Sequence, residues 1–201
     1  MSLYTVLLKI VGWGMGLING RPRFYGLEHL PKDEPFILAG THRSLQDPIL
    51  LALLVYPRKV SFMAKSSLFD HRIIAWILSK VHVFPVDRDK PSPRTLRHAS
   101  DVMNKQNMIL GIFPTGTRYS EEVKGGTAFI QRLSKRTIVP VALETSVGFK
   151  EFILRKSPKL VIGHPIVYEE GVKYDKEKLG QVDAQIAQSF DELQSFLRQQ
   201  V

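Results

Sequence analysis

Phe36-Ile37-Leu38-Ala39-Gly40-Thr41-His42-Arg43-Ser44-Leu45-Gln46-Asp47-Pro48 passes from an apolar run through a polar loop to a proline. The run Phe36 to Gly40 reads as a strand buried on both faces. Proline favours the first helical positions and pushes the residue before it out of helical geometry, so a helix is predicted from Pro48 to Tyr56. A buried strand, a loop and a helix in that order begin an alternating α/β pattern.

The pattern continues outward. Lys59 to Ala64 reads as a strand and Ser67 to Lys80 as a helix, followed by a strand at Val81 to Val86 and a helix at Pro93 to Gln106. Ile109 to Phe113 and Ile138 to Leu143 read as strands, with a helix between them near Gly126 to Lys135, and Leu160 to Ile166 as a last strand. The order implies an α/β fold: a mostly parallel central sheet flanked by helices. Leu179, Val182, Ile186, Phe190, Leu193 and Leu197 recur at spacings of three and four, which predicts an amphipathic C-terminal helix covering the sheet.

The N-terminus is apolar from Leu3 to Ile18, with Lys9 in the middle. That falls short of the ~20 residues a spanning helix needs. The central charge and the following Asn19-Gly20-Arg21-Pro22 do not suit a signal peptide. A helix lying in the membrane interface fits better, so residues 1–20 are expected to associate with the membrane and residues 21–201 to form one domain. Gly12, Gly16 and Gly20 would form one smooth helix face able to receive another helix. The alternative is a plain buried core helix.

The 201 residues suit one domain with a real core, and 44% of them are hydrophobic, which disfavours disorder. The chain has no cysteine, which removes disulfides, zinc–thiolate sites, iron–sulfur clusters and thiol nucleophiles. A net charge of +9 suits nucleic acid, an anionic membrane or an acidic protein. No basic tract with interleaved aromatics, zinc-finger spacing or RNA-binding signature is present, so nucleic acid is not expected as a partner. Gly12-Trp13-Gly14-Met15-Gly16 is no dinucleotide fingerprint, and there is no P-loop or Gly-x-Ser-x-Gly elbow.

Two loops carry the chemistry. His42 and Asp47 follow a strand, where open α/β sheets bind ligands. On one continuous helix, five residues would set them about 140° apart, so a turn must intervene. Asp47 is then expected at the helix N-cap, with its carboxylate in reach of His42. A His–Asp pair with no attached Ser or Cys is a general base for an external hydroxyl. Taken alone, Asp47 reads equally as a helix cap and His42 as a satisfied loop histidine. The second loop is Ile112-Phe113-Pro114-Thr115-Gly116-Thr117-Arg118. Gly116 allows close backbone approach or positive φ. Thr115 and Thr117 offer hydroxyls, and Arg118 offers a fork for phosphate.

Together these residues resemble the glycerolipid acyltransferase family, best known for 1-acylglycerol-3-phosphate acyltransferases. The family's His-x4-Asp is matched by His42 and Asp47, and its Phe-Pro-Glu-Gly-Thr-Arg by Phe113-Pro114-Thr115-Gly116-Thr117-Arg118. Val83-Phe84-Pro85-Val86-Asp87-Arg88 and Ile138-Val139-Pro140-Val141 match two further blocks, and Met63 to Phe69 also looks familial. The four blocks stand in family order over roughly residues 24 to 145.

The resemblance implies a mechanism in which His42 takes a proton from an acceptor hydroxyl while Asp47 orients and charge-stabilises the imidazole. The oxygen attacks an acyl thioester of coenzyme A or acyl carrier protein, and the expected acceptor is lysophosphatidic acid. Lys65, Arg88 and Arg118 are the implied holders of the acceptor phosphate, with Thr115, Gly116 and Thr117 beside the substrate. No metal or bound cofactor is implied. The expected location is the cytoplasmic face of the cell membrane, peripheral or monotopic. Thr115 stands where the family usually has Glu, which bears on acceptor identity more than on reaction class. Other readings are acyl transfer to glycerol 3-phosphate or another lysophospholipid, a non-catalytic lipid-binding protein, and a metal-dependent hydrolase. His29, His71, His82, His98 and His164 show no ligand-like pairing and read as structural or surface residues.

Overall fold

A computed structural model describes residues 3–87, 91–116, 122–145 and 157–200. The chain runs α1 (Leu3–Asn19), β1 (Arg23–Tyr25), β2 (Ile37–Gly40), α2 (Asp47–Leu54), β3 (Val60–Lys65), α3 (Arg72–Lys80), β4 (Val83–Val86) and α4 (Pro93–Asn104). It continues through β5 (Ile109–Ile112), α5 (Gly126–Ser134), β6 (Ile138–Glu144), β7 (Lys159–Ile162) and α6 (Lys176–Gln199). The strands form one sheet in the order β1-β7-β6-β2-β5-β3-β4.

β2 lies between β5 and β6, parallel to both, and β3 is parallel to β5 and to β4. The C-terminal ends of β2 to β6 therefore share one edge. Every residue of β2, β5 and the first six of β6 is buried. That is what a strand covered by helices on both faces requires, and it explains the continuous apolar runs. On one face Leu38, Val60, Val139 and Val141 pack with α2. On the other, Ile37, Leu110 and Ile138 pack with α4, α5 and α6 through Val102, Ile130 and Ile186. This is the expected α/β fold.

The structure corrects or adds four details. The expected helix at Ser67 to Lys80 is split: a 3-10 turn covers Ser66–Phe69, and extended backbone at His71 starts α3 afresh. β1 was not foreseen, because three residues give too short a run to show alternation. β7 is antiparallel to β6, a detail the expected mostly parallel sheet accommodates. The glycine face of α1 receives another helix at Gly12, where a Cβ would lie 2.8 Å from Leu53 of α2, while Gly20 meets the Ser157 side chain, a Cβ there lying 2.7 Å from its hydroxyl. Gly16 faces open space, and Gly20, at φ 81°, follows the last helical residue.

α1 is held by Tyr4 and Leu8, both in the core beside α2. The Tyr4 hydroxyl accepts the Val60 N–H at 3.3 Å. The rest of the helix is largely open, and Ile10, Trp13, Leu17 and Ile18 are exposed. Among the described residues no helix is long and apolar enough to cross a membrane.

Candidate active site

The end of β2 delivers Thr41 and His42 to the common C-terminal edge. The Thr41 hydroxyl accepts the Leu143 N–H of β6 at 2.9 Å, which ties the start of the loop to the neighbouring strand. The loop then curls around one carboxylate. Asp47 Oδ2 accepts the N–H of Arg43 at 2.7 Å and of Ser44 at 2.7 Å. The same oxygen lies 2.9 Å from His42 Nδ1. Oδ1 accepts the hydroxyl of Thr145, the first residue beyond β6, at 2.9 Å.

Asp47 is fully buried, and the His42 side chain is 9% exposed. A buried carboxylate needs its oxygens satisfied, and here all four bonds come from outside the helix. The expected N-cap role is therefore corrected. Gln46 occupies the cap, its carbonyl accepting the Leu50 N–H at 3.0 Å, and Asp47 opens the helix with its side chain turned back into the loop.

The network sets the imidazole tautomer. Oδ2 already receives two backbone N–H groups, so it acts as an acceptor and Nδ1 carries the proton. Nε2 is then the basic nitrogen. The ring is fixed from the side by Phe113, which stacks on it with centroids 4.1 Å apart and planes 22° apart. Phe113 fits there because position 40 is glycine: a Cβ on Gly40 would stand 3.3 Å from the Phe113 ring and 2.8 Å from Leu51.

Beyond Phe113 the chain makes a tight turn, Gly116 N–H donating to the Phe113 carbonyl at 2.8 Å. Gly116 has φ 70°, as the sequence allowed, and Thr115 is buried. Phe113, Pro114 and Gly116 line a cleft of about 250 Å³ with Met63, Val86 and Lys124. Its floor is apolar, and Lys124 is a cation the sequence reading did not single out. The N-terminal end of α5 borders the same cleft through Gly126 and Thr127. Asp183 of α6 takes the Ala128 N–H there; burial pushes its carboxyl up to about 6, against the opposing pull of that hydrogen bond.

Lys65 ends β3 at the same edge and is exposed, paired in register with Val86 of β4. Arg88, Thr117 and Arg118 lie outside the described residues. The structure thus brings His42, Asp47, Thr115 and Gly116 to one end of the sheet with Lys65 on its rim. The sequence reading missed Thr145 and the supporting role of Phe113. Thr145 lies 98 positions from Asp47, so no spacing pattern could have signalled it. Of the remaining histidines, His29 Nδ1 meets the Ile162 carbonyl at 2.9 Å and its ring packs on His164, while His98 packs edge-on against Phe84. Among the described residues no group of three or more His, Asp or Glu side chains is placed to hold a metal ion.

A family model described as acyltransferase matches residues 21–144, which contain His42, Asp47, Phe113, Thr115, Gly116 and Lys124 but not Thr145 or Asp183. The chain belongs to the acyltransferase family. It is 32% identical over 98% of its length to a 1-acyl-sn-glycerol-3-phosphate acyltransferase of Streptococcus pneumoniae, covering 75% of that protein. It is 35% identical over 90% of its length to the Bacillus subtilis protein of the same name, covering 92% of it. The crystal structure of the 1-acyl-sn-glycerophosphate (LPA) acyltransferase PlsC from Thermotoga maritima matches with a TM-score of 0.69 over 96% of this chain and 80% of that one. At 21% identity, that likeness speaks for the fold alone. The family resemblance read from the four sequence blocks therefore holds.

Proposed function

We propose that this acyltransferase moves a fatty acyl group from an acyl thioester to the free hydroxyl of 1-acylglycerol 3-phosphate, giving phosphatidic acid. The observation that carries the reading is the buried Asp47 carboxylate on His42 Nδ1, which leaves Nε2 as the base on a ring stacked against Phe113 of the apolar cleft. Nε2 takes the proton of the acceptor hydroxyl as its oxygen bonds to the thioester carbonyl carbon. The tetrahedral adduct collapses, the C–S bond breaks, and the imidazolium returns the proton to the departing thiolate. Asp47 supports the cation formed midway. The donor is acyl-CoA or acyl carrier protein, and the reaction has no step that calls for a metal.

Lys65 at the end of β3, with Arg88 and Arg118 after β4 and β5 in sequence, are the groups to hold the acceptor phosphate, with Thr115, Gly116 and Thr117 at the turn beside it. The adjacency of those strands supports this convergence. Lys124 of the cleft joins them as a further cation. Residues 1–20 are assigned to a membrane-interface helix and residues 21–201 to a single acyltransferase domain, peripheral or monotopic on the cytoplasmic face of the cell membrane. The exposed Trp13 and Leu17 of α1 support that placement.

The test is acyl transfer by the purified protein against lysophosphatidic acid, glycerol 3-phosphate and lysophospholipids with larger headgroups, each with both thioester donors. Phosphatidic acid formation well above the other products is expected. Faster acylation of glycerol 3-phosphate or of a phosphate-diester lysolipid would reassign the acceptor.

A further inference from the structure

α3 is a nine-residue helix, Arg72-Ile73-Ile74-Ala75-Trp76-Ile77-Leu78-Ser79-Lys80, with no buried residue. Only Ala75 and Leu78 are half-covered. A helix this short is marginal in water without a packed apolar face. Its apolar residues instead point out: Ile73 is 75% exposed and Trp76 57%, with Ile77 beside them. Spacings of three and four set these side chains on one stripe. Leu68, in the preceding turn, is also exposed.

The charges around the stripe have one dominant sign. Lys65, Arg72 and Lys80 stand before and at the two ends of α3, against Asp70 as the one acid between residues 65 and 80. α3 also shares a groove with α1. Leu78 of α3 and Leu7, Leu8 and Val11 of α1 line one apolar groove of about 230 Å³. α1 and α3, which carry the exposed Trp13 and Trp76, therefore flank the same groove on one side of the sheet.

We infer that α3 is a second membrane-inserting element, its Ile73–Trp76–Ile77 stripe entering an anionic bilayer while Arg72 and Lys80 at its ends meet the headgroup phosphates. This rests on the reading of α1 as an interface helix and extends it to the catalytic domain itself. An apolar stripe with basic ends is the pattern of an in-plane membrane helix. A second copy of the chain would bury the same stripe but would set these cations against their own images, which disfavours self-association. Insertion of α3 brings Lys65, the last residue of β3, to headgroup depth on the edge that carries His42. A lipid acceptor can then reach the cleft laterally, without leaving the bilayer.

The chain has two tryptophans, one on each helix, so single-tryptophan variants report them separately. In Trp13→Phe the sole emitter is Trp76; in Trp76→Phe it is Trp13. Each full-length variant is mixed with phosphatidylglycerol vesicles carrying brominated acyl chains, and with phosphatidylcholine vesicles as control. Trp76 is expected to shift blue, to lose about half its emission or more to bromine, and to do so much less on phosphatidylcholine. Ile73→Glu with Ile77→Glu, folded by circular dichroism, should weaken vesicle partition by about tenfold or more. Quenched Trp13 with Trp76 still open to aqueous acrylamide would overturn the inference and leave the α1 reading standing. Absence of quenching at both sites would overturn both. Shielding of Trp76 without lipid, growing with protein concentration, would assign the stripe to self-association and overturn the inference.

Discussion

Asp47 gathers four hydrogen bonds on two oxygens, and their geometry separates its charge from its shape. In Asp47→Asn the amide oxygen can take the place of Oδ2 and keep the Arg43, Ser44 and His42 donors. The amide NH2 then faces the Thr145 hydroxyl, which can turn to accept. Only the negative charge is lost, so the fold should persist while the imidazolium loses its support. A fall in kcat of about 10²- to 10⁴-fold with a nearly unchanged melting temperature is expected, read by steady-state kinetics beside calorimetry. Full activity in folded Asp47→Asn would reduce Asp47 to a loop brace. Thr145→Val removes the donor to Oδ1 at almost constant volume and leaves a buried carboxylate oxygen unpaired. That should cost about 1–3 kcal/mol of stability, with a smaller loss of kcat than Asp47→Asn, since Nδ1–H still meets Oδ2. At this scale the pairing of His42 with Asp47 was legible because five residues and a proline set it. The aspartate's orientation was not, because the loop N–H groups of Arg43 and Ser44 compete with the helix end for the same carboxylate.

At the scale of elements, continuous apolar runs announced β2, β5 and β6, and three-and-four spacing announced α6. Pairing partners are a different matter, since a run of apolar residues carries no direction. The strand at Leu160 to Ile166 was therefore legible as a strand but not as antiparallel, and the three-residue β1 was too short to show a signature at all. The same holds for the contact between α5 and α6, where the Asp183 carboxylate meets the Ala128 N–H at the start of α5. Burial raises Asp183 from 3.8 to about 6, so the folded protein holds this proton more tightly than the unfolded chain. The stabilisation this gives is complete below about pH 4 and is lost as pH rises to about 6. Above that range the fold carries a partly desolvated charge. Asp183→Asn keeps an acceptor for Ala128 and removes that charge. Its melting temperature should exceed the parent's at pH 7.5, and the gain should shrink toward zero as pH falls from about 6 to about 4. A variant less stable than the parent at pH 7.5 would mean that the helix start needs the charge.

The whole molecule combines a sheet edge bearing the His42 loop with a surface of exposed apolar residues on α1 and α3, in a chain of net charge +9. Attraction between basic protein and anionic lipid is screened over about 10 Å at 0.1 M salt, whereas inserted apolar surface is not. Vesicle binding should therefore weaken between 0.05 and 0.5 M salt, by about tenfold on phosphatidylglycerol and little on neutral lipid, in a sedimentation assay. Salt-independent binding to the anionic vesicles would leave apolar insertion alone as the cause. The reaction itself is the most direct check on the account as a whole: conversion of lysophosphatidic acid to phosphatidic acid on anionic vesicles by the purified protein, beside folded His42→Ala. Turnover by the parent, with kcat lower by about 10²- to 10⁴-fold in the variant, is the expected result. Near-parent turnover by folded His42→Ala would contradict the assignment of His42 as the base.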